Sequence, residues 1–315
     1  MTAYLVKRLL AAVPTLAIIL LMVILVVRIM PGDVIDAAIA DQSQLNRVDR
    51  QALEDRLGLN KSVPQQYFDY LSNLARGDFG QSLWTGRSIR SMIQGRILVT
   101  LELAGMALFL ATVVAVPIGI LSAMFRGSIL DAGLRTVASI GLSVPEFMTA
   151  TAILVLPAVW WQWSPALYVP RDAGVFDHYR SLLLPASIVG WRLASAQARL
   201  IRTMMIEVLS QDYIRTARAK GLSERQVIFV HAFRNALVPV ITLASLEIVF
   251  LLSGIVIMEL VFGIPGLGSL LLEGVKNRDY ATVQGVTMLF GVVVVLLNIG
   301  TDLFYGVLDP RVRQK

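Results

Sequence analysis

The sequence predicts an all-α, polytopic membrane protein with six transmembrane helices. Three observations predict it. The 315-residue chain is 56% hydrophobic and only 16% charged, where a soluble globular protein carries roughly 25% charged residues. The apolar residues fall in blocks close to the roughly 20 residues that a helix needs to cross hydrocarbon. Lys and Arg are shared unevenly between the segments on either side of those blocks, as cytoplasmic and external loops are.

The first block, 9–27, has no charged residue and follows Lys7 and Arg8. A cleaved signal peptide is the competing reading, with Ala38-Ile39-Ala40 as a small-residue site. The run exceeds the roughly 7–15 residues of a signal core, so residues 1–30 read as a short tail and an uncleaved first span. Residues 31–97 then form an external loop in which eight Lys/Arg balance eight Asp/Glu. Within it Tyr67, Tyr70, Leu71 and Leu74 recur at helical spacing after Pro64, with Gly77 as a stop. An earlier helix ends near Leu57-Gly58. No repeat or low-complexity tract is evident.

Residues 98–308 supply five more spans: 103–125, 136–163 with Glu146 beside Pro145, 181–200, 236–258 with Glu247, and 283–301. The stretch 181–200 is interrupted by Arg192 and Arg199, but the charge distribution requires it. With six spans and both termini cytoplasmic, the inside pieces hold 13 Lys/Arg and the short outside loops hold 4, Arg171, Arg180, Lys276 and Arg278. Without that span the basic 202–235 segment falls outside. The net charge of +6 therefore reports membrane topology, and no nucleic-acid partner is expected. Residues 309–315 are a cytoplasmic tail.

Several chemistries are excluded. There is no cysteine, and His178 and His231 are the only imidazoles, so thiolate and histidine metal cages are not expected. No Gly-Lys dipeptide occurs, hence no phosphate-binding P-loop. Gly263, Gly266 and Gly268 surround Pro265 and read as a shaped turn. No catalytic, cofactor-binding or metal-binding residue is expected, and energy must come from a partner.

The segment 207–235 is where such a partner would act. Residues 207–220 read as a helix continuing from the fourth span, and Gly221 as its left-handed stop. Ser223, with Gln226 three residues on, caps a second helix. Val227, Ile228, Val230, Ala232 and Phe233 give that helix an apolar side, flanked by Arg225 and Arg234. Such a face can lie on the membrane, pack on the chain's own spans, or dock on another protein.

Resemblance to a known family favours the last. Tyr213-Ile214-Arg215-Thr216-Ala217-Arg218-Ala219-Lys220-Gly221-Leu222, followed by His231-Ala232-Phe233-Arg234-Asn235-Ala236, is similar to the coupling loop of ABC importer permeases in the peptide/opine/nickel branch, which includes the B-type subunits of dipeptide and oligopeptide permeases. Against the general Glu-Ala-Ala form of that loop, only Ala217 and Gly221 match. Four other stretches resemble the same branch in the same order: Leu57-Gly58-Leu59 with Arg76-Gly77-Asp78-Phe79-Gly80-Gln81-Ser82, Ser143-Val144-Pro145-Glu146-Phe147, the Glu259 to Gly268 turn, and Leu308-Asp309-Pro310-Arg311-Val312-Arg313. The resemblance spans essentially the whole chain.

It implies a type I permease-like fold and half of a translocation path for di- or oligopeptides, with nickel or another small solute as the alternative cargo. It implies three protein partners in a bacterial or archaeal cytoplasmic membrane: a second permease subunit, cytoplasmic ATPases that carry ATP-Mg, and an extracytoplasmic substrate-binding protein. The binding protein would meet residues 31–97 and 261–283. The ATPase-coupling residues carried over are Ala217, Gly221, Ser223, Glu224, Arg225, His231, Phe233, Arg234 and Asn235. A self-sufficient secondary transporter or channel is the competing class, and a membrane scaffold a third.

Charges inside the spans are expected to have partners. Arg192 either pairs with Glu247 or faces the path and attracts a substrate carboxylate. Arg199 and Arg202 snorkel to the inner interface. Glu102 and Glu259 sit at the outer interface and Asp302 at the inner one. Trp160, Trp161 and Trp163 form an aromatic belt.

Overall fold

The computed structural model describes residues 2–29, 61–82, 84–165 and 168–308. Among them the elements are helices: α1 (Thr2–Ile29), α2 (Val63–Ala75), α3 (Ile89–Met124), α4 (Ile129–Ser143), α5 (Glu146–Trp161), α6 (Val175–Leu209), α7 (Asp212–Ala219), α8 (Glu224–Gln226), a π-helical turn Val227–Ala232, α9 (Phe233–Val261), α10 (Leu267–Lys276) and α11 (Tyr280–Leu308). One isolated antiparallel bridge, Gln81 to Ser88, is the only extended pairing among the described residues. The chain divides into two compact units, Met1–Leu98 with Pro265–Gly300, and Val99–Ile264 with Thr301–Lys315.

In the first unit α2 starts as its sequence predicts. Ser62 and Gln65 form a capping box with Pro64 in the first turn. Tyr67, Tyr70, Leu71 and Leu74 pack on Leu20 and Ile24 of α1 and on Met288 of α11. Tyr67 Oη also donates to the Ala17 carbonyl at 3.3 Å. The expected helix end at Leu57-Gly58 lies outside the described residues.

The 31–97 segment gives way to a membrane-length helix earlier than its sequence suggested, because α3 begins at Ile89. Arg90 and Arg96 hide this first part of the helix from a hydropathy reading. The four-residue spacing of Ile89, Ile93 and Ile97 reveals it. These residues pack with Leu267, Leu270 and Val286.

Polar contacts tie the same region together. Ser82 Oγ donates to Asp279 Oδ2 at 2.5 Å and Thr282 Oγ1 to the same oxygen at 2.7 Å. Arg96 bridges to Glu273 at 3.1 Å. The Arg76-to-Ser82 motif and the turn before α11 are thereby joined.

The second unit holds the main core. Leu103, Ala107, Ala111 and Ala115 form a fully buried stripe on α3 at helical spacing, and Val189, Leu193, Ala198 and Ile201 of α6 share its cluster. The small residues allow close approach. A Cβ added at Gly190 would lie 2.9 Å from the Ala107 carbonyl oxygen, and a backbone atom cannot rotate away. Gly190→Ala is therefore expected to destabilise the detergent-purified chain by about 1–3 kcal/mol, read as a lower thermal-unfolding midpoint.

Two expected continuities are broken. The 136–163 block is not one continuous helix: α4 and α5 meet at 95°. Proline has no N–H and disfavours helix in the residue before it, and here Val144 is extended ahead of Pro145. The 207–220 helix is also not a continuation of α6. It ends at Leu209, and Ser210 and Gln211 separate it from α7.

By length and composition, two helices among the described residues can cross a membrane alone, Ile89–Met124 and Tyr280–Gly300, or up to four if each bent pair is one span. The protein is thus an all-helical, multi-pass membrane chain. Trp160, Trp161 and Trp163 are exposed at and just after the end of α5.

Candidate functional site

The 207–235 segment builds a hinge from local rules. α7 closes in a Schellman arrangement: Leu222 N–H donates to the Ala217 carbonyl at 3.4 Å and Gly221 N–H to the Arg218 carbonyl at 2.9 Å. Such a closure needs a left-handed residue, and Gly221 supplies it with φ +79°. Ala217 is buried beneath this turn. Ser223 then caps the next helix, its Oγ accepting from Gln226 N–H while Gln226 Oε1 accepts from Ser223 N–H at 3.2 Å. Arg218 spans the hinge, its Nε donating to Glu224 Oε1 at 2.7 Å. Both groups are exposed, so this pair is worth less than about 1 kcal/mol and guides the turn rather than locking it.

Beyond the cap, the helix is continuous through the π turn into α9. Glu224–Leu237 forms one rod, bent 46° from Pro239–Ile248. The widened turn rotates successive side chains differently from a regular α-helix. Val227, Ile228 and Ala232 are consequently buried in the chain's own core, as the self-packing alternative predicts. Val230 departs from the expected apolar side: it is exposed, together with Phe229. Phe233 is partly buried against the core, while Arg225 and Arg234 remain exposed. Asn235 Nδ2 donates to Tyr213 Oη at 2.8 Å and to the His231 carbonyl at 3.0 Å, fastening the rod to α7. The structure thus brings Ala217, Gly221, Ser223, Glu224, Arg225, His231, Phe233, Arg234 and Asn235 into one hinged element. Sequence reasoning missed Phe229 as its exposed aromatic residue, because regular α-periodicity gave no sign of a π turn.

The charges inside the chain pair differently from the expectation. Arg192 meets Glu146 at 3.4 Å, not Glu247. The 95° bend before Glu146 delivers that carboxylate to α6, and Gly254 leaves room for it, since a Cβ there would collide with the carboxylate. Glu247 is buried and accepts from Gln197 Nε2 at 3.1 Å. Glu259 is fully buried within the chain and accepts from Thr100 Oγ1 at 2.6 Å. Asp302 lies among residues whose side chains are outside those described.

Arg202 has a carboxylate partner. Its Nε and Nη2 both donate to Asp131, each at 2.8 Å. Ser122 Oγ adds a 2.5 Å donation and Gly127 N–H one at 3.0 Å. The Arg202 hydrogen bonds, with those of Ser122 and Gly127, hold the Asp131 carboxyl well below the usual range although burial opposes ionisation. The available sequence signal was Ser128, three residues before Asp131: Ser128 Oγ caps α4 by accepting Asp131 N–H at 3.2 Å.

Glu102 is the centre of a second cluster. It accepts from Arg171 at 3.0 Å and from Tyr179 Oη at 3.3 Å. Buried His178 lies 2.8 Å from Glu102 through Nε2 and 2.7 Å from the Val169 carbonyl through Nδ1. His178→Ala removes a partner from both groups and is expected to lower stability by about 1–3 kcal/mol, checked by thermal unfolding.

No group of three or more His, Cys, Asp or Glu able to hold a metal occurs among the described residues.

Known proteins resemble the chain along its whole length. The model for the binding-protein-dependent transport system inner membrane component matches residues 115–314, and its N-terminal counterpart matches residues 1–104. The di/tripeptide transport system permease protein DppB of Pseudomonas aeruginosa is 35% identical over 100% of both chains. A Brucella suis biovar 1 protein named as a peptide permease is 37% identical over 99% of each. Among solved structures, an inward-facing form of the MetNI methionine ABC transporter superposes with a TM-score of 0.56 at 18% identity, covering 69% of this chain and 96% of that one. An amino acid ABC transporter structure gives 0.52 at 14% identity, covering 68% and 93%.

Proposed function

The chain belongs to the family of binding-protein-dependent transport system inner membrane components, and from that membership we propose that it imports di- or oligopeptides by forming half of a path completed by a second permease. The chain is a multi-pass transport subunit of an ABC importer and not an enzyme. Peptide cargo is supported by the names of relatives matching over the full length. In this reading six spans place both termini and the 207–235 segment in the cytoplasm, and ATPase subunits carrying ATP-Mg dock there.

One observation carries the coupling assignment: an exposed Phe229-Val230 tip sits on a rod whose other side is buried in the chain's own core. Movement of whatever grips that tip is passed directly into α9. The external binding protein would meet the loops joined by Ser82, Asp279 and Thr282.

The test is reconstitution with the partner permease, ATPases and binding protein in proteoliposomes. ATP-dependent accumulation of a labelled dipeptide is expected, falling at least tenfold for Phe229→Asp because burying an unpaired carboxylate in an apolar contact costs well over 1.4 kcal/mol. Accumulation driven by an ion gradient without ATP would instead establish the secondary-transporter class.

A further inference from the structure

A pocket of about 250 Å³ lies between α3, α4 and α6 in the second unit. Three arginines line it, Arg135, Arg199 and Arg202. Asp131, the carboxylate among them, is already engaged by Arg202 at 2.8 Å and Arg135 at 3.5 Å. Arg199 makes no ion pair among the described residues. The pocket therefore keeps an excess of positive charge in front of Ser122 and Ser139.

The rest of its wall is apolar, and a shallow cleft continues from it. Cleft and pocket share Ile118, Ala138 and Ala198, and the cleft extends to Val114, Val137 and Trp191. Along α6 the lining passes from Arg202 through Ala198 to Ala194, a rise of roughly 12 Å. A basic mouth in line with an apolar track matches an amphiphile. The volume is below the roughly 300–1,000 Å³ of pockets that enclose drug-sized ligands, so an oligopeptide is a poor occupant. Basic pockets between membrane helices on the cytoplasmic side hold anionic lipid headgroups.

We propose that this pocket binds the phosphodiester headgroup of an anionic phospholipid of the inner leaflet, with one acyl chain along the Val114–Trp191 cleft. The assignment of leaflet rests on the inside orientation proposed above. A lipid wedged there braces α4 against α6 beside the Asp131–Arg202 clamp.

The full-length chain, purified in neutral detergent, is titrated with phosphatidylglycerol or phosphatidylcholine of matched acyl chains, and retained lipid is read by native mass spectrometry. Phosphatidylglycerol is expected to be retained preferentially. Arg199→Ala, which leaves the Asp131 clamp intact, weakens that retention about five-fold, the effect of one cation near a lipid surface, and leaves phosphatidylcholine unchanged. Ala138→Phe fills the junction of pocket and cleft and lowers phosphatidylglycerol retention without altering charge. Arg199→Gln serves if the alanine variant does not purify as a single species. Equal retention of the two lipids, or retention unchanged in both variants, overturns the proposal. So does displacement by millimolar inorganic phosphate, which marks a free-anion site, or by a dipeptide, which places the pocket in the translocation path. The readout is bound lipid and not uptake, so its failure leaves the transport reading standing.

Discussion

Gly221→Pro is expected to leave the helices assembled and to abolish ATP-driven uptake. Gly221 has φ +79°, and its N–H donates to the Arg218 carbonyl at 2.9 Å. Proline is locked near φ −65° and has no N–H, so it forbids both features. The strain, about 3 kcal/mol or more, is relieved by re-aiming the chain between α7 and the Glu224–Leu237 rod. A penalty of that size reduces the correctly aimed population about 100-fold, and transport should fall in proportion.

The graded controls separate hinge geometry from bulk. Nothing lies within 4 Å of a Cβ built at Gly221, so alanine meets no clash and carries only the left-handed penalty, about 1–2 kcal/mol. Asparagine, which tolerates that conformation, should be mildest. The expected order of uptake is Gly, Asn, Ala, Pro, with all four variants eluting alike in size-exclusion chromatography. Wild-type uptake in the proline variant would remove 207–235 from the coupling role.

Asp131→Ala is expected to produce the largest loss of stability. The substitution strips Arg202 of a two-point partner and leaves Ser122 Oγ and the Gly127 N–H without their acceptor. Leaving a guanidinium and a hydroxyl unpaired beneath α4 should cost about 3 kcal/mol, seen as an unfolding midpoint several degrees lower. Asp131→Asn keeps the shape, loses the charge and should fall between.

The pH dependence follows in sign. The folded carboxyl titrates below its unfolded value of about 3.9, so its stabilisation is complete above that pH. It is lost as pH falls toward the folded value. The stability gap between wild type and Asp131→Asn should therefore be constant from pH 7 to 5 and narrow below about pH 4. A gap that widened on acidification would be incompatible with an ionised Asp131 as acceptor.

Much of the 207–235 element was legible in the sequence because its signals are local. Ser223 and Gln226 are three residues apart, and a glycine after a short amphipathic helix has few other uses. The same holds for α2, announced by Pro64 and four apolar residues at helical spacing. Charge pairing was not readable in this way. Glu247 lies on the very next helix block after Arg192, yet Arg192 reaches Glu146 because a proline-directed bend turns α5 through 95°. Ser122, Asp131 and Arg202 come from three helices and meet only when these pack. The outward position of Phe229 and Val230 depends on a π turn that hydrophobic periodicity does not register.

By itself, the order of residues determined that this chain is helical, lies in a membrane and breaks at Gly221. Those properties depend on hydropathy over about twenty residues, on backbone dihedrals and on side chains within one turn of each other. Only the tertiary structure decided which carboxylate answers each arginine, where α3 begins and which face of the rod is left open. Electrostatic partners and buried faces are chosen by distance in space, and a bend or a widened turn changes that distance without altering the local pattern that announces a helix.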